Sequence, residues 1–189
     1  MKHAIRGGTR DSSLRGTSRG RGYGGGVPLS FRDARRDDVP RIVELLTDDP
    51  LGTARETADL TAYERAFDVI AADPSNELVV GELDGRVVAC AQLTFVPTIS
   101  RGATTRMIVE AVRVDPALRS GGIGAQLMAE AHRRGTERGC ALAQLTSDKR
   151  RDDAHRFYRR LGYAQSHEGF KLPLRPTRHR LRTDQSVES

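Results

Sequence analysis

Apolar and polar positions alternate over residues 29–35, where Leu29 and Phe31 precede Asp33, and this period of two predicts a first strand. From Asp37 or Asp38, either able to cap a helix, the period lengthens. Ile42, Val43, Leu45 and Leu46 then share one face of a helix running to about Thr47. Asp48-Asp49-Pro50-Leu51-Gly52 is a turn. A second helix is expected over residues 55–72, with Tyr63, Ala66, Phe67 and Ile70 at helical spacing and Asp73-Pro74 at its end. Two strands, 77–83 and 86–95, are joined by Asp84-Gly85, a strong hairpin signal between apolar runs. After a loop at 97–102, residues 105–114 form a strand with Met107, Val109 and Ala111 on one face and Ile108, Val112 and Val114 on the other. Apolar residues on both faces suit a buried central strand. A helix over 122–138 turns Ile123, Leu127, Met128 and Ala131 inward and stops at Gly139. A short strand at 141–146, a helix at 152–161 closed by Gly162, and a last strand or broken pair at 163–172 complete the chain. The order β-α-α-β-β-β-α-β-α-β predicts an α/β fold on a mixed central sheet, antiparallel early and with crossovers late.

Composition narrows the picture. A length of 189 residues suits one domain, and 37% hydrophobic content supports a core. With 5% aromatics and no Trp, that core is expected to be aliphatic. No apolar run approaches the ~18–20 residues of a membrane helix. Two cysteines make no disulfide framework, and a cytoplasmic setting is the expectation.

The net charge of +6 invites a nucleic-acid partner, but its distribution argues otherwise. Residues 1–26 hold six basic side chains and one acidic, residues 171–189 five and two, and residues 27–170 twenty and twenty-two. The excess therefore sits at the two ends. Residues 1–26 also hold 8 of the 19 glycines, too few apolar groups to offset the entropy of ordering. They read as a disordered Arg/Gly-rich leader, with weak nucleic-acid contact as the lesser reading. Residues 27–172 are the expected folded domain, and 173–189 a basic flexible tail.

The chemistry concentrates where the strand at 105–114 ends. Val112-Arg113-Val114-Asp115-Pro116 leads through a short loop into Arg119-Ser120-Gly121-Gly122-Ile123-Gly124 and a helix. Glycines let backbone N–H groups close around an anion, the helix dipole adds to this, and Arg119 supplies charge. Without Gly-Lys-Ser/Thr it is not a nucleotide-triphosphate loop. Gly20-x-Gly22-x-x-Gly25 matches a dinucleotide pattern in letters only, since no strand precedes it and no helix follows.

Two stretches together resemble the GNAT family of N-acetyltransferases. One is Arg119-x-x-Gly122-x-Gly124 after Val112-Arg113-Val114-Asp115-Pro116. The other is Asp153-Ala154-His155-Arg156-Phe157-Tyr158 followed by Leu161-Gly162-Tyr163. The resemblance covers about residues 29–172 and implies a sheet with a splayed middle that binds acetyl-CoA. It implies that the backbone of Arg119, Ser120, Gly121, Gly122, Ile123 and Gly124 holds the pyrophosphate. Val112, Arg113 and Val114 would lie along the pantetheine arm. Tyr158 is then the candidate acid and Glu110 the candidate base, acting through water. Asp153 stands where many members have an Asn at the cofactor, and Asp cannot donate that bond.

Each role has a competing reading. Tyr158 can be a packing residue, and Glu110 can pair with Arg106 or Arg113 or face solvent. The resemblance sets residues 48–55 over the acceptor, where Asp48, Asp49 and Glu56 suit a cationic amine; Gln92 and Thr94 are further candidates. The five histidines show no ligand spacing, so no metal is expected. Cys90 and Cys140 read as core thiols. The expected activity is transfer of an acetyl group from acetyl-CoA to a primary amine of a small molecule. A protein lysine or N-terminus, or a non-catalytic acyl-CoA sensor, is the alternative. A homodimer is compatible with this reading, and no membrane partner is expected.

Overall fold

The computed structural model describes residues 29–48 and 59–174. The leader at 1–26, the segment 49–58 and the tail from 175 onward lie outside the described residues. Strand β1 (Ser30–Asp33) leads through a short 3-10 turn (Arg36–Asp38) into α1 (Val39–Thr47). Helix α2 (Leu60–Ala72) is followed by β2 (Asn76–Leu83), β3 (Arg86–Pro97) and β4 (Thr105–Val114). A second 3-10 turn (Pro116–Leu118) leads to α3 (Ile123–Glu137), β5 (Cys140–Gln144) and α4 (Asp152–Arg160).

Local chemistry sets these boundaries. Asp84 and Gly85 take φ of 52° and 74°, the two positive values a tight primed hairpin turn needs. Asp59 caps α2, its carboxylate accepting the Thr61 N–H at 3.0 Å. The sheet order is β1-β2-β3-β4-β5. The first four strands pair antiparallel, and β5 joins β4 in parallel after the α3 crossover. The α/β fold on a mixed sheet is therefore as the pattern predicts.

The two faces of the sheet are covered differently. Helix α3 lays Leu127, Met128 and Ala131 on Ala91, Leu93, Met107 and Val109, an aliphatic cluster that excludes water. Helix α1 covers part of the opposite face, with Ile42 and Leu45 against Val80, Val87 and Cys90. Arg134 ties α3 to the sheet by pairing with Asp33 and, at 2.9 Å, with Glu77.

One expectation fails. Residues 163–172 form no strand. Tyr163 packs on the core, but beyond it Phe170 and Leu172 are 95% and 80% exposed, so the rest of the segment meets neither a ladder partner nor an apolar face to cover. A strand cannot persist on propensity alone.

Candidate active site

The site is organised by a fault in β4. Gln92 of β3 faces Glu110 and Cys90 faces Arg113, so Ala111 and Val112 together oppose Ala91. This is a β-bulge. Ala111 takes φ of 51°, a left-handed conformation that costs an alanine roughly 1–2 kcal/mol. The extra residue shifts the phase of the strand. Met107 and Val109 point into the α3-side core before it, and Val112 and Val114 after it.

The neighbouring strand diverges at the same place. Pairing of β4 with β5 covers Thr105 to Ile108 and stops at Gln144. From Val109 onward, the edge of β4 away from β3 has no strand beside it among the described residues. The result is the splayed middle that the resemblance implies.

Beyond Val114 the chain is anchored before it loops. Asp115 is 7% exposed. Its carboxylate accepts from the Ala117 N–H at 3.0 Å, from Arg41 Nη2 at 2.6 Å and from Arg86 Nη2 at 3.3 Å. Arg41 also donates from Nε to the Val87 carbonyl at 3.1 Å, which links α1, β3 and the end of β4. Ser120 and Gly122 then take φ of 68° and 81°, turning the chain into α3. The first N–H groups of α3 have no intrahelical acceptor, and the positive end of its dipole lies there. Arg119 is exposed and donates from Nε to the Val114 carbonyl at 3.3 Å. This end of the fold can hold a pyrophosphate on backbone donors and one guanidinium. Gly124 has a second reason to be glycine: a Cβ there would lie 3.3 Å from the Phe157 ring.

Helix α4 brings Tyr158 against this framework. Its ring meets Phe157 edge-on at 5.1 Å and Tyr163 at 5.8 Å. Burial raises the Tyr158 phenol above its ordinary value, against a smaller opposing pull from the charges of Arg151 and Arg113. Tyr163 is pushed up to about 12 by burial and by Tyr158, and its hydroxyl lies 2.8 Å from His132 Nε2. Asp153, in contrast, is turned to solvent and paired with Arg156.

On the sheet face away from α3, Glu110 is exposed and makes no ion pair with Arg106, Arg113 or any other described residue. Beside it run Gln92 and Thr94; the Thr94 hydroxyl donates to Asn76 Oδ1 at 2.7 Å, and Asn76 Nδ2 donates to Asp73 at 2.8 Å. Asp49 and Glu56 lie outside the described residues. Cys90 is fully buried and its thiol is pushed up to about 12, a core thiol rather than a nucleophile. Among the described residues no group of three or more His, Cys, Asp or Glu side chains could hold a metal ion. No helix among them is long and apolar enough to cross a membrane.

Three features went unread in the sequence. The bulge at Ala111 had a signal, the inward period stretching from two to three between Val109 and Val112. The Asp115–Arg41 pair joins residues 74 apart and had none. The sequence offers Arg106 only as a possible partner of Glu110, and nothing in it points to a buried Nε with no partner among the described residues.

Residues 39–163 match the family model of the Acetyltransferase (GNAT) family. The chain is 32% identical over 144 residues to an aminoalkylphosphonate N-acetyltransferase of Salmonella typhimurium, covering 76% of this chain and 90% of that protein. It is 26% identical over 151 residues to a glucosamine 6-phosphate N-acetyltransferase of Trypanosoma brucei brucei, covering 78% and 97%. A solved structure described as a transcriptional regulator from Bacillus halodurans superposes with a TM-score of 0.75 at 42% identity, over 77% of this chain and 99% of that one. This chain belongs to the GNAT family and is an acetyl-CoA-dependent N-acetyltransferase.

Proposed function

We propose that the protein transfers the acetyl group of acetyl-CoA directly to the primary amine of a small molecule that also carries an anion. The observation that carries this is the coincidence of the bulge, the β4–β5 divergence and the anchored glycine loop on one strand. The backbone of Arg119 to Gly124 holds the pyrophosphate, and Val112, Arg113 and Val114 line the open edge along which the pantetheine lies. An alkyl amine near pKa ~10 is protonated at neutral pH and must lose a proton before its nitrogen can attack. Glu110, exposed and without an ion pair among the described residues, takes that proton through water. The nitrogen then bonds to the thioester carbon while a backbone N–H near Val112 steadies the oxyanion. The C–S bond breaks, and Tyr158 protonates the departing thiolate. The raised phenol supports this role, because it stays protonated over the working range. The acceptors named for the two curated relatives each join an amine to a phosphorus oxyanion, and the acceptor here is of that kind.

The test follows release of coenzyme A thiol from acetyl-CoA over a panel of amines. Release is expected to be fastest with amines that carry a phosphonate or phosphate; equal rates with amines that lack the anion would overturn the acceptor assignment.

A further inference from the structure

Arg106 sits on β4 four residues before Glu110, and alternation puts both on the face away from α3. It is half-buried between Val96 of β3 and Leu142 of β5. Its Nε is fully shielded from solvent and has no hydrogen-bond partner, and no acidic side chain among the described residues pairs with it. A guanidinium left in this state is costly, since burying a cationic donor is tolerated when an acceptor compensates it. Three other partly buried arginines show the usual solution: Arg32, Arg41 and Arg134 each meet carboxylates. Arg106 does not serve the glycine loop either. It lies eight residues before Val114, roughly 25 Å away at strand rise.

Resting on the reading above, we propose that Arg106 is the specificity-determining residue for the acceptor and binds its phosphorus oxyanion, phosphonate or phosphate. Glu110 marks the amine end, at the bulge. Arg106 lies about 13 Å further along the same face, measured between Cα atoms, and its long side chain shortens that span. Between them is Ile108, with Thr94 across the ladder, so the intervening floor is small and half-buried. The planar fork of a guanidinium pairs two donors with two oxygens of such an anion. Because Nε is shielded, the donors offered to the anion are the two terminal Nη groups.

The test is calorimetric titration of the full chain loaded with coenzyme A, using aminoethylphosphonate, phosphoethanolamine and propylamine, which has the same ammonium group and no anion. The wild type is expected to bind the anionic amines about tenfold or more tightly than propylamine. Which of the two binds more tightly distinguishes phosphonate from phosphate as the source of the anion. Arg106→Gln should erase the preference and leave propylamine binding unchanged, while Arg106→Lys should retain part of it. Arg106→Met should leave the unfolding midpoint unchanged or raise it, because no partner is lost. Undiminished binding of the anionic amines by Arg106→Gln, an equal loss for propylamine, or no preference in the wild type would overturn the assignment. Because binding is read without turnover, a protein that binds but does not acetylate sinks the catalytic reading alone. One that acetylates with Arg106→Gln unaltered sinks this one alone.

Discussion

The two faces of β4 are built from alternate residues of one strand, yet they have little else in common. Toward α3, Met107 and Val109 are 1% and 2% exposed and join a dry aliphatic cluster. Toward the other side, Arg106 and Ile108 are half-buried and Glu110 is exposed, with Gln92 and Thr94 beside them. The first face carries free energy of folding through packing and water exclusion. The second keeps Arg106 and Glu110 without an ion pair among the described residues, and it is the face proposed to meet the acceptor. The bulge at Ala111 is where the two arrangements change over, since it lets Val112 and Val114 return to the core and opens the backbone beside them. Changes on the reactive side should alter rates and leave stability intact, and changes on the core side should do the reverse.

The largest effect is expected at Tyr158. Tyr158→Phe keeps the ring and its edge contacts with Phe157 and Tyr163. It should lower kcat by about 10²-fold or more, with little change in the KM for acetyl-CoA or in the unfolding midpoint. The pH profile carries the sign. The acid must be protonated to act, and burial raises its pKa, so the wild-type alkaline limb should begin above the ordinary phenol value of 10.0. The variant should lack that limb. A kcat within a factor of about two of wild type would remove Tyr158 from the role of acid.

Met107→Ala tests the opposite face. Met107 is fully buried against α3, where Gly135 approaches so closely that a Cβ would meet the Met107 sulfur at 3.0 Å. Truncation leaves a cavity that this tight approach cannot close, and should cost about 2–5 kcal/mol, read by denaturant or thermal unfolding. The surviving folded fraction should turn over normally. A large loss of kcat with an unchanged midpoint would mean that the two faces are not separable.

Much of this architecture could be read from local signals. Asp84-Gly85 located the hairpin, the strand at 105–114 was bounded by a proline, and Gly122 marked the start of α3 because its backbone requires positive φ. The glycine loop, Tyr158 and Glu110 could be nominated by resemblance, since they lie in contiguous motifs. What could not be read depends on tertiary placement. Arg41 reaches Asp115 only because α1 crosses the sheet, and alternation alone gives no hint that the Arg106 Nε ends without a partner among the described residues. The strand expected at 163–172 had local propensity but no neighbour. Asp153 belongs to the helix expected, yet its carboxylate is held by Arg156 in solvent.

Glu110→Gln probes the reactive face with a smaller and more selective effect. The substitution keeps the shape of the side chain and breaks no ion pair among the described residues, so the unfolding midpoint should be unchanged. Loss of the proton acceptor should reduce kcat by on the order of 10²-fold near neutral pH, with the KM for acetyl-CoA unchanged. A kcat within a factor of about two of wild type would discard Glu110 as the base and leave that step to water alone.

The smallest effect is expected at the junction itself. Ala111 takes φ of 51°, where a Cβ is crowded by its own carbonyl and glycine is not. Ala111→Gly relieves about 1–2 kcal/mol of that strain. It also loosens the unfolded chain, which returns roughly 0.5–1 kcal/mol. The balance should be a gain on the order of 0.5 kcal/mol, measurable as a small rise in the denaturant midpoint. If the bulge only relieves register, kcat should be unchanged. If instead the fixed conformation at Ala111 holds the neighbouring N–H toward the developing oxyanion, the more stable variant should be the slower one. A stabilised protein with reduced kcat and an unchanged KM for acetyl-CoA would show that strain at this residue serves the reaction. A destabilised one would show that Ala111 is not strained at all.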